Sequence, residues 1–102
     1  MPAELTVISW RDIPAQVLAR SGRTRARVEL DQRFQEAIDS AATVARLTGT
    51  DAYLGEWRRA SRPCGDDLEA EARAEADRLE REHPDDVLAV LVRTGGFREP
   101  PG

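Results

Sequence analysis

Residues 21–30, SGRTRARVEL, decide how this chain folds. Charged side chains alternate with smaller or apolar ones from Arg23 to Leu30, and this period of two predicts a half-buried strand whose arginines face solvent. Ser21-Gly22 precedes the alternation, and a two-residue loop containing glycine joins antiparallel neighbours readily. The stretch therefore predicts an antiparallel sheet in this part of the chain.

Residues before this stretch supply two more strands. The run 5–10 is β-branched and apolar, which is typical of a strand. Pro14 restrains Ile13 to extended geometry, so a second strand is predicted over 15–20 after a turn at Arg11-Asp12. Residues 4–30 are thus expected to form a three-stranded meander.

Residues after this stretch are mainly helical. Asp31 is placed as the N-cap of an amphipathic helix over 32–47, which Gly49 would end. A fourth, aromatic-rich strand is predicted over 52–59, then a loop over 62–65, a helix over 66–82 with an apolar stripe of Leu68, Ala72, Ala76 and Leu79, and a short helix through Arg93. The predicted fold is α+β, with a four-stranded, mainly antiparallel sheet in the order βββαβαα and helices packed on one face. Residues 1–94 form the single domain and 95–102 a flexible C-terminal tail.

Composition excludes several classes of function. The chain has 102 residues, a net charge of −4, one cysteine and one histidine, which fits one domain and argues against a nucleic-acid or membrane-surface binder. All fifteen basic residues are arginine, so lysine Schiff bases and P-loop lysines are excluded. We expect no metal site, no cofactor, and residence in the cytoplasm.

Both tryptophans are followed directly by arginine, as Trp10-Arg11 and Trp57-Arg58. Indole offers a large apolar body and guanidinium a planar fork for an oxyanion, so the pairs are predicted to flank one binding groove. The predicted binding residues are Trp10, Arg11, Asp12, Gln16, Tyr53, Trp57, Arg58 and Arg59. A shared groove requires neighbouring strands in the right register. In the alternative, both indoles are packing residues of the core or of strand ends.

Two further groups of residues are candidate sites. Arg23, Arg25 and Arg27 are proposed as a secondary anion patch, although such arginines also serve as a solvated face that protects a sheet edge. Cys64 precedes a helix N-terminus, which lowers a thiol pKa, but Asp66 and Asp67 oppose that shift. His83 is interpreted as an N-cap or surface residue. No acid–base pair emerges, so no catalytic residue is predicted.

Three parts of the sequence form a recognisable set: LTVISWRDIPAQV at 5–17, Arg33-Phe34 with 36–39, and YLGEWR at 53–58. Together they resemble the small bacterial "virulence factor" domain family, which is shared with longer proteins called conserved virulence factor C. It covers about residues 4–80. It implies an α+β domain of unassigned activity, found beside HEAT-like repeats and an iron–sulfur-scaffold-like domain in longer relatives. The resemblance also implies a link to one-carbon metabolism, since short members are similar to proteins encoded beside folate and corrinoid one-carbon enzymes.

The leading hypothesis is therefore a non-catalytic cytoplasmic accessory module that binds a protein partner. The alternative is a small binding domain for an anionic metabolite or cofactor, nucleotide or folate-like, linked to one-carbon metabolism. A third hypothesis, an enzyme that uses Cys64, is kept as a contrast. Partners are expected to be a protein, a small anion or a second copy of the chain, and neither nucleic acid nor a membrane.

Overall fold

The computed structural model describes residues 3–47, 49 and 51–98. Its elements in chain order are β1 (Ala3–Trp10), β2 (Ile13–Ser21), β3 (Thr24–Glu29), α1 (Gln32–Val44), α2 (Asp51–Gly55), β4 (Trp57–Cys64), α3 (Leu68–Glu82) and α4 (Asp85–Arg93). The strands form one antiparallel sheet in the order β3-β2-β1-β4. The predicted α+β class and four-stranded antiparallel sheet are confirmed.

The meander over the first three strands follows the predicted pattern. Gly22 closes the β2–β3 turn with φ 59°, a left-handed conformation that glycine adopts without steric cost. The β1–β2 ladder shifts register between Ile8 and Ser9 and leaves Ala15 unpaired in it, which is a β-bulge. The carbonyl of Ala15 instead accepts the backbone N–H of Leu30 at 3.0 Å, and this contact ties β2 to the entry of α1.

The start of α1 was predicted correctly and its end was not. The side chain of Asp31 accepts the N–H of Gln32, which confirms the predicted N-cap. The helix ends at Val44 rather than at 47, because Arg46 adopts a left-handed φ of 61° and Leu47 donates its N–H back to the Ala42 carbonyl. An arginine therefore occupies the position for which glycine was expected.

The predicted strand over 52–59 is wrong in its first half. Residues 51–55 form α2, β4 begins only at Trp57, and the predicted loop at 62–65 is strand as far as Cys64. The element order is accordingly βββααβαα. A short aromatic run fits either period, so tertiary contacts decide its conformation. Here the helical turn lets the Tyr53 carbonyl accept both the Trp10 indole N–H at 3.0 Å and the Glu56 N–H at 3.2 Å.

The helices supply the rest of the buried core. α3 packs across β2 and β3 and buries the predicted stripe of Leu68, Ala72, Ala76 and Leu79. α1 and α4 pack against each other near the end of the sheet where β1 turns into β2. Among the described residues, no helix has the length and apolar character needed to cross a bilayer.

The C-terminal segment is held against the domain as far as the structure describes it. α4 ends at a pair of left-handed glycines, Gly95 (φ 72°) and Gly96 (φ 101°), which confirms the predicted stop. Their carbonyls accept the Arg11 guanidinium at 2.9 Å and the Asp12 N–H at 2.8 Å, respectively. Residues 95–98 of the predicted tail therefore pack on the β1–β2 turn, and 99–102 lie outside the described residues.

Candidate functional site

The two tryptophans lie opposite each other on neighbouring strands. Trp10 ends β1, Trp57 begins β4, and the antiparallel register pairs them directly, so both side chains project from the same face of the sheet. Tyr53 lies between the two indoles, with ring centroids 5.5 Å from Trp10 and 6.3 Å from Trp57. The geometric condition for a shared cluster is met, and α2 supplies its third ring.

Burial separates the two indoles. Trp10 is 0% exposed and its only indole donor is used by the Tyr53 carbonyl. Trp57 is half-buried at the start of β4. The ring of Trp10 therefore packs the core, and only Trp57 offers surface to a ligand or partner.

Arg11 is also turned inward. Its backbone is left-handed (φ 51°) and its guanidinium lies between two rings, 5.0 Å from the centroid of Trp10 and 4.3 Å from that of Phe97. One terminal nitrogen donates to the Gly95 carbonyl at 2.9 Å and the other to the Glu56 carboxylate at 3.2 Å. The side chain is 12% exposed, and its Nε is buried without a hydrogen-bond partner in the described part of the chain. Arg11 therefore joins distant chain segments.

Asp12 completes this junction. One carboxylate oxygen accepts the backbone N–H of Arg98 at 2.6 Å, and the other lies 3.8 Å from the Arg58 guanidinium. Residues 10–12 thus connect the β1–β2 turn to the α2–β4 connection and to the segment after α4. This segment was predicted as a binding site, and the structure gives each of its side chains an intramolecular contact.

Gln16 lies on the same sheet face as Trp57, away from α3. Both residues line a groove of about 450 Å³ together with Arg27, Glu29 and the start of α1. Tyr53 instead faces α1, where burial, followed by the carboxylate of Asp39, raises the pKa of the phenol above its ordinary value. Of the predicted binding residues, Gln16 and Trp57 share a surface, whereas Trp10 lies beneath it.

Hydrogen-bonded and non-hydrogen-bonded residue pairs alternate along the β1–β4 ladder, and this alternation determines which backbone groups of β4 point away from β1. The N–H of Arg11 donates to the Glu56 carbonyl at 3.0 Å, so pairs at even spacing from it, such as Ser9 with Arg58, are the hydrogen-bonded ones. The backbone groups of Trp57, Arg59 and Ser61 consequently point away from β1. We call these groups the outer edge of β4. Pro63 has the same phase, as expected for a residue that cannot donate.

Arg23, Arg25 and Arg27 lie apart from the tryptophans. Arg23 is in the β2–β3 turn and the other two are exposed on β3. Arg25 and Arg27 line a groove of about 750 Å³ whose opposite wall, at the start of α3, carries Asp67 and Glu69. Because carboxylates lie in the same groove, the arginines face a mixed field rather than an isolated positive patch.

A second group of arginines lies together at a site that was not predicted from the sequence. A groove of about 330 Å³ lies on the α3 side of β1 and β4 and is lined by Val7, Ser9, Arg11, Asp12, Pro14, Arg58, Arg59, Ala60, Leu79, His83 and Arg98. We call it the arginine groove, since four arginines are among the residues that line it. His83 was interpreted as an N-cap or surface residue, and this is wrong. It follows α3 as its C-cap and is 2% exposed.

The contacts of His83 fix its tautomer and orient Arg98. Its Nδ1 lies 2.8 Å from the Leu79 carbonyl, which can only accept, so Nδ1 carries the hydrogen. Nε2 then accepts from the Arg98 guanidinium at 3.1 Å. Packing of the His83 ring against Phe34, 5.9 Å between centroids, holds the imidazole in this position. No sequence signal indicated the pair, because Arg98 falls in the predicted tail.

Cys64 ends β4 and is half-buried. Burial, followed by the Glu71 carboxylate, raises the pKa of this thiol above its ordinary value, and Arg62 offsets them only in part. The environment therefore favours the thiol over the thiolate that a nucleophile requires. Within residues 3–47, 49 and 51–98, no three side chains of histidine, cysteine, aspartate or glutamate come together as a metal site would require.

Comparison with known proteins gives one match. The family model described as "Virulence factor" matches residues 8–92, a span that includes the 10–12 segment, Tyr53, β4 and the residues of the arginine groove from Ser9 to His83. No curated protein and no solved structure matches the chain. Because the matched span takes in most of the sequence, the chain belongs to the virulence factor family.

Proposed function

We propose that this member of the virulence factor family is a non-catalytic accessory module whose protein partner adds a strand to the outer edge of β4. One observation carries the proposal. β4 is the last strand of the sheet, and the backbone groups of Trp57, Arg59 and Ser61 point outward without a strand beside them in the described part of the chain. Such an edge is a template for an extended segment of another protein.

Charge indicates the kind of partner. Arg58, Arg59 and Arg62 are exposed within eight residues of β4, and Arg59 has no hydrogen bond or ion pair to another described residue. A second copy of β4 would bring arginines against arginines, and like charges on paired strands are unfavourable. An extended segment that carries acidic side chains has the opposite charge. The same arginines therefore disfavour pairing with a second copy of β4 and favour an acidic partner.

Trp57 supplies the apolar part of the contact. Its half-buried ring lies at the start of the edge and is supported from behind by Tyr53. Large aromatic side chains held in place by neighbours are the residues that dominate the binding energy of interfaces. An apolar side chain of the partner would pack against this ring while acidic side chains meet the arginines.

The test uses a matched pair of substitutions at Ser61. Ser61→Pro removes an outward N–H, as Pro63 already does, and leaves the inward-facing ladder in place. Ser61→Ala is the control, because both variants lose the hydroxyl contact with Thr6, 2.8 Å in the wild type. Affinity capture from lysate of the source cells, read by mass spectrometry, should recover a shared partner with wild type and Ser61→Ala and lose it with Ser61→Pro and with the charge reversal Arg59→Glu.

Three results would contradict the proposal. Wild-type protein that captures no specific partner rules out the accessory role, and a partner retained equally by Ser61→Pro and Arg59→Glu rules out the β4 edge. Sedimentation that gives a dimer, dissociated by Ser61→Pro, would replace the acidic partner with a second copy of the chain. Circular dichroism of every variant establishes that loss of binding is not loss of fold.

A further inference from the structure

The arginine groove lies on the opposite face of β4 from Trp57, and its construction differs from that of the edge. Two cross-strand pairs form its floor, Val7 with Ala60 and Ser9 with Arg58. Leu79, from the last turns of α3, forms an apolar wall beside them. The groove thus combines an apolar floor and wall with the hydroxyl-bearing Ser9 and guanidinium groups around it.

The charges in the groove are unbalanced. The residues that line it include four arginines, Arg11, Arg58, Arg59 and Arg98, and one carboxylate, that of Asp12. Glu56 adds a second carboxylate beside the groove, 3.2 Å from Arg11 and 3.9 Å from Arg58. The arginines still outnumber the carboxylates, although the whole chain carries a net charge of −4. A local positive field in an acidic protein raises the local concentration of anions. Of these arginines, Arg11 is already committed to the Gly95 carbonyl and to Glu56.

Arg58 retains donors for a ligand. Its guanidinium lies 3.8 Å from Asp12 and 3.9 Å from Glu56, distances longer than those of N–H···O hydrogen bonds. The side chain is 52% exposed. Its planar fork is therefore free to bind an oxyanion in bidentate fashion without giving up a short internal hydrogen bond.

Arg98 is held at the same groove by the protein. The backbone N–H of Arg98 is bound to Asp12, and one terminal nitrogen donates to Nε2 of His83. A guanidinium oriented in advance loses less conformational entropy when it binds a ligand. His83, fixed by Leu79 and Phe34, is a positioning residue for this side chain.

We propose that the arginine groove binds a small organic oxyanion, a carboxylate or phosphate group carried on a compact apolar body, between Arg58 and Arg98. The volume of about 330 Å³ lies at the lower end of small-molecule sites, which excludes a dinucleotide-sized ligand. The site borders the outer edge of β4 and shares Arg58 and Arg59 with it, but it uses side chains on a sheet face, whereas strand addition uses the outward backbone groups. The two proposals can therefore be tested separately through the backbone.

The test is a titration of the ¹⁵N-labelled full chain at low salt, followed by amide chemical shifts. The probes are phenyl phosphate and benzoate, with inorganic phosphate for the head group alone and benzyl alcohol for the apolar body alone. We expect saturable shifts centred on Ser9, Arg58 and Ala60 with the two aromatic anions, and markedly weaker binding of the other two probes. The better of phenyl phosphate and benzoate identifies the head group.

Charge-matched variants make the result specific. Arg58→Gln and Arg98→Gln should each weaken binding of the preferred probe at least tenfold, whereas Arg25→Gln removes the same charge from the exposed face of β3 and should leave affinity unchanged. His83→Asn should weaken probe binding only because it releases the Arg98 guanidinium. The same substitution should therefore have no additional effect in an Arg98→Gln background. An additive loss there would show that His83 acts only by supporting the fold.

Other outcomes overturn the site. Shifts that fail to saturate with every probe, equal losses in Arg25→Gln and Arg58→Gln, or equal binding of benzyl alcohol would each contradict an oxyanion site. Ser61→Pro separates the two proposals, because it should abolish partner capture and leave probe binding intact. Failure of one measurement therefore does not decide the other.

Discussion

Trp10-Arg11 and Trp57-Arg58 are the same dipeptide, and the two tryptophans pair directly across neighbouring strands, yet the two dipeptides have opposite environments. Trp10 and Arg11 are enclosed by α2, by Phe97 and by the glycines that end α4. Trp57 is half-buried and Arg58 is mostly exposed on the edge strand. The difference arises from which chain segments cross above each pair, and therefore from tertiary structure. A short motif alone does not distinguish a packing role from a binding role.

Alanine substitution of the two indoles should give the largest contrast. Trp10→Ala empties a fully buried site and is expected to lower the free energy of unfolding by about 3–5 kcal/mol. Trp57→Ala removes a partly exposed ring and should cost about 1–2 kcal/mol. Urea unfolding followed by far-UV circular dichroism measures both, and equal losses would contradict the division between core and surface.

Methionine substitution of Arg11 and Arg58 should again destabilise the buried position more than the exposed one, with smaller losses in the free energy of unfolding than the tryptophan substitutions give. Arg11→Met leaves the Glu56 carboxylate and the Gly95 carbonyl without their donor, and we expect a loss of about 2–4 kcal/mol. Arg58→Met should change the free energy of unfolding by less than about 0.5 kcal/mol.

Lysine at position 11 is the informative control for that comparison. An ammonium cannot stack between two rings and donate to both acceptors in the geometry of a guanidinium. Arg11→Lys should therefore recover little of the stability lost in Arg11→Met. Full recovery would mean that charge alone, rather than the planar fork, holds this junction together.

Two glycines extend the comparison to the backbone. An alanine Cβ at Gly96 would lie 2.9 Å from Cζ3 of Trp10, at a φ of 101° that alanine rarely adopts. Gly96→Ala should therefore cost about 2–3 kcal/mol. Gly22 also has a positive φ, but an added Cβ there meets no atom within 4 Å, so Gly22→Ala should cost about 1 kcal/mol. Thermal unfolding distinguishes the two, and equal shifts in Tm would contradict the close packing on Trp10.

The ion pair between Arg62, the third arginine of β4, and Glu75 should contribute to the pH dependence of the free energy of unfolding. It lies 3.4 Å from Glu75, a carboxylate only 6% exposed, whose pKa is held below its ordinary value chiefly by the hydrogen bond from Arg78, with burial opposing it and Arg62 assisting. A lowered folded-state pKa stabilises the fold above the unfolded value of about 4.3, and this stability is lost as pH falls through the folded value. Unfolding curves of Glu75→Gln should therefore depend less on pH below about 4.3 than those of wild type. An unchanged acid slope would contradict the role of this carboxylate.

Local signals predicted the parts of the fold that local chemistry determines. The alternation over 23–30, the cap at Asp31 and the stripe from Leu68 to Leu79 each specify an element without reference to distant residues. α2 could not be predicted in this way. Its five residues carry no period, and their conformation depends on the indole of Trp10, 43 positions earlier in the chain than Tyr53.

The candidate sites were predictable only in part. Trp57, Arg58 and Arg59 were identified by residue type, and the register then placed them on an exposed strand. The arginine groove was missed because His83 before proline resembles an exposed cap, whereas its burial comes from Phe34 and from the return of the chain at Arg98. Contacts between residues so far apart in sequence leave no periodic signal.

The junction at residues 10–12 also bears on how this domain folds during synthesis. The ribosome adds Gly95, the partner of the Arg11 side chain, 84 positions after Arg11 itself. Until then the side chains of Trp10 and Arg11 lack the segment that covers them, although the sheet and α1 are already made. Emergence of the segment that contains Gly95, rather than formation of the sheet, is therefore the step at which this part of the core closes.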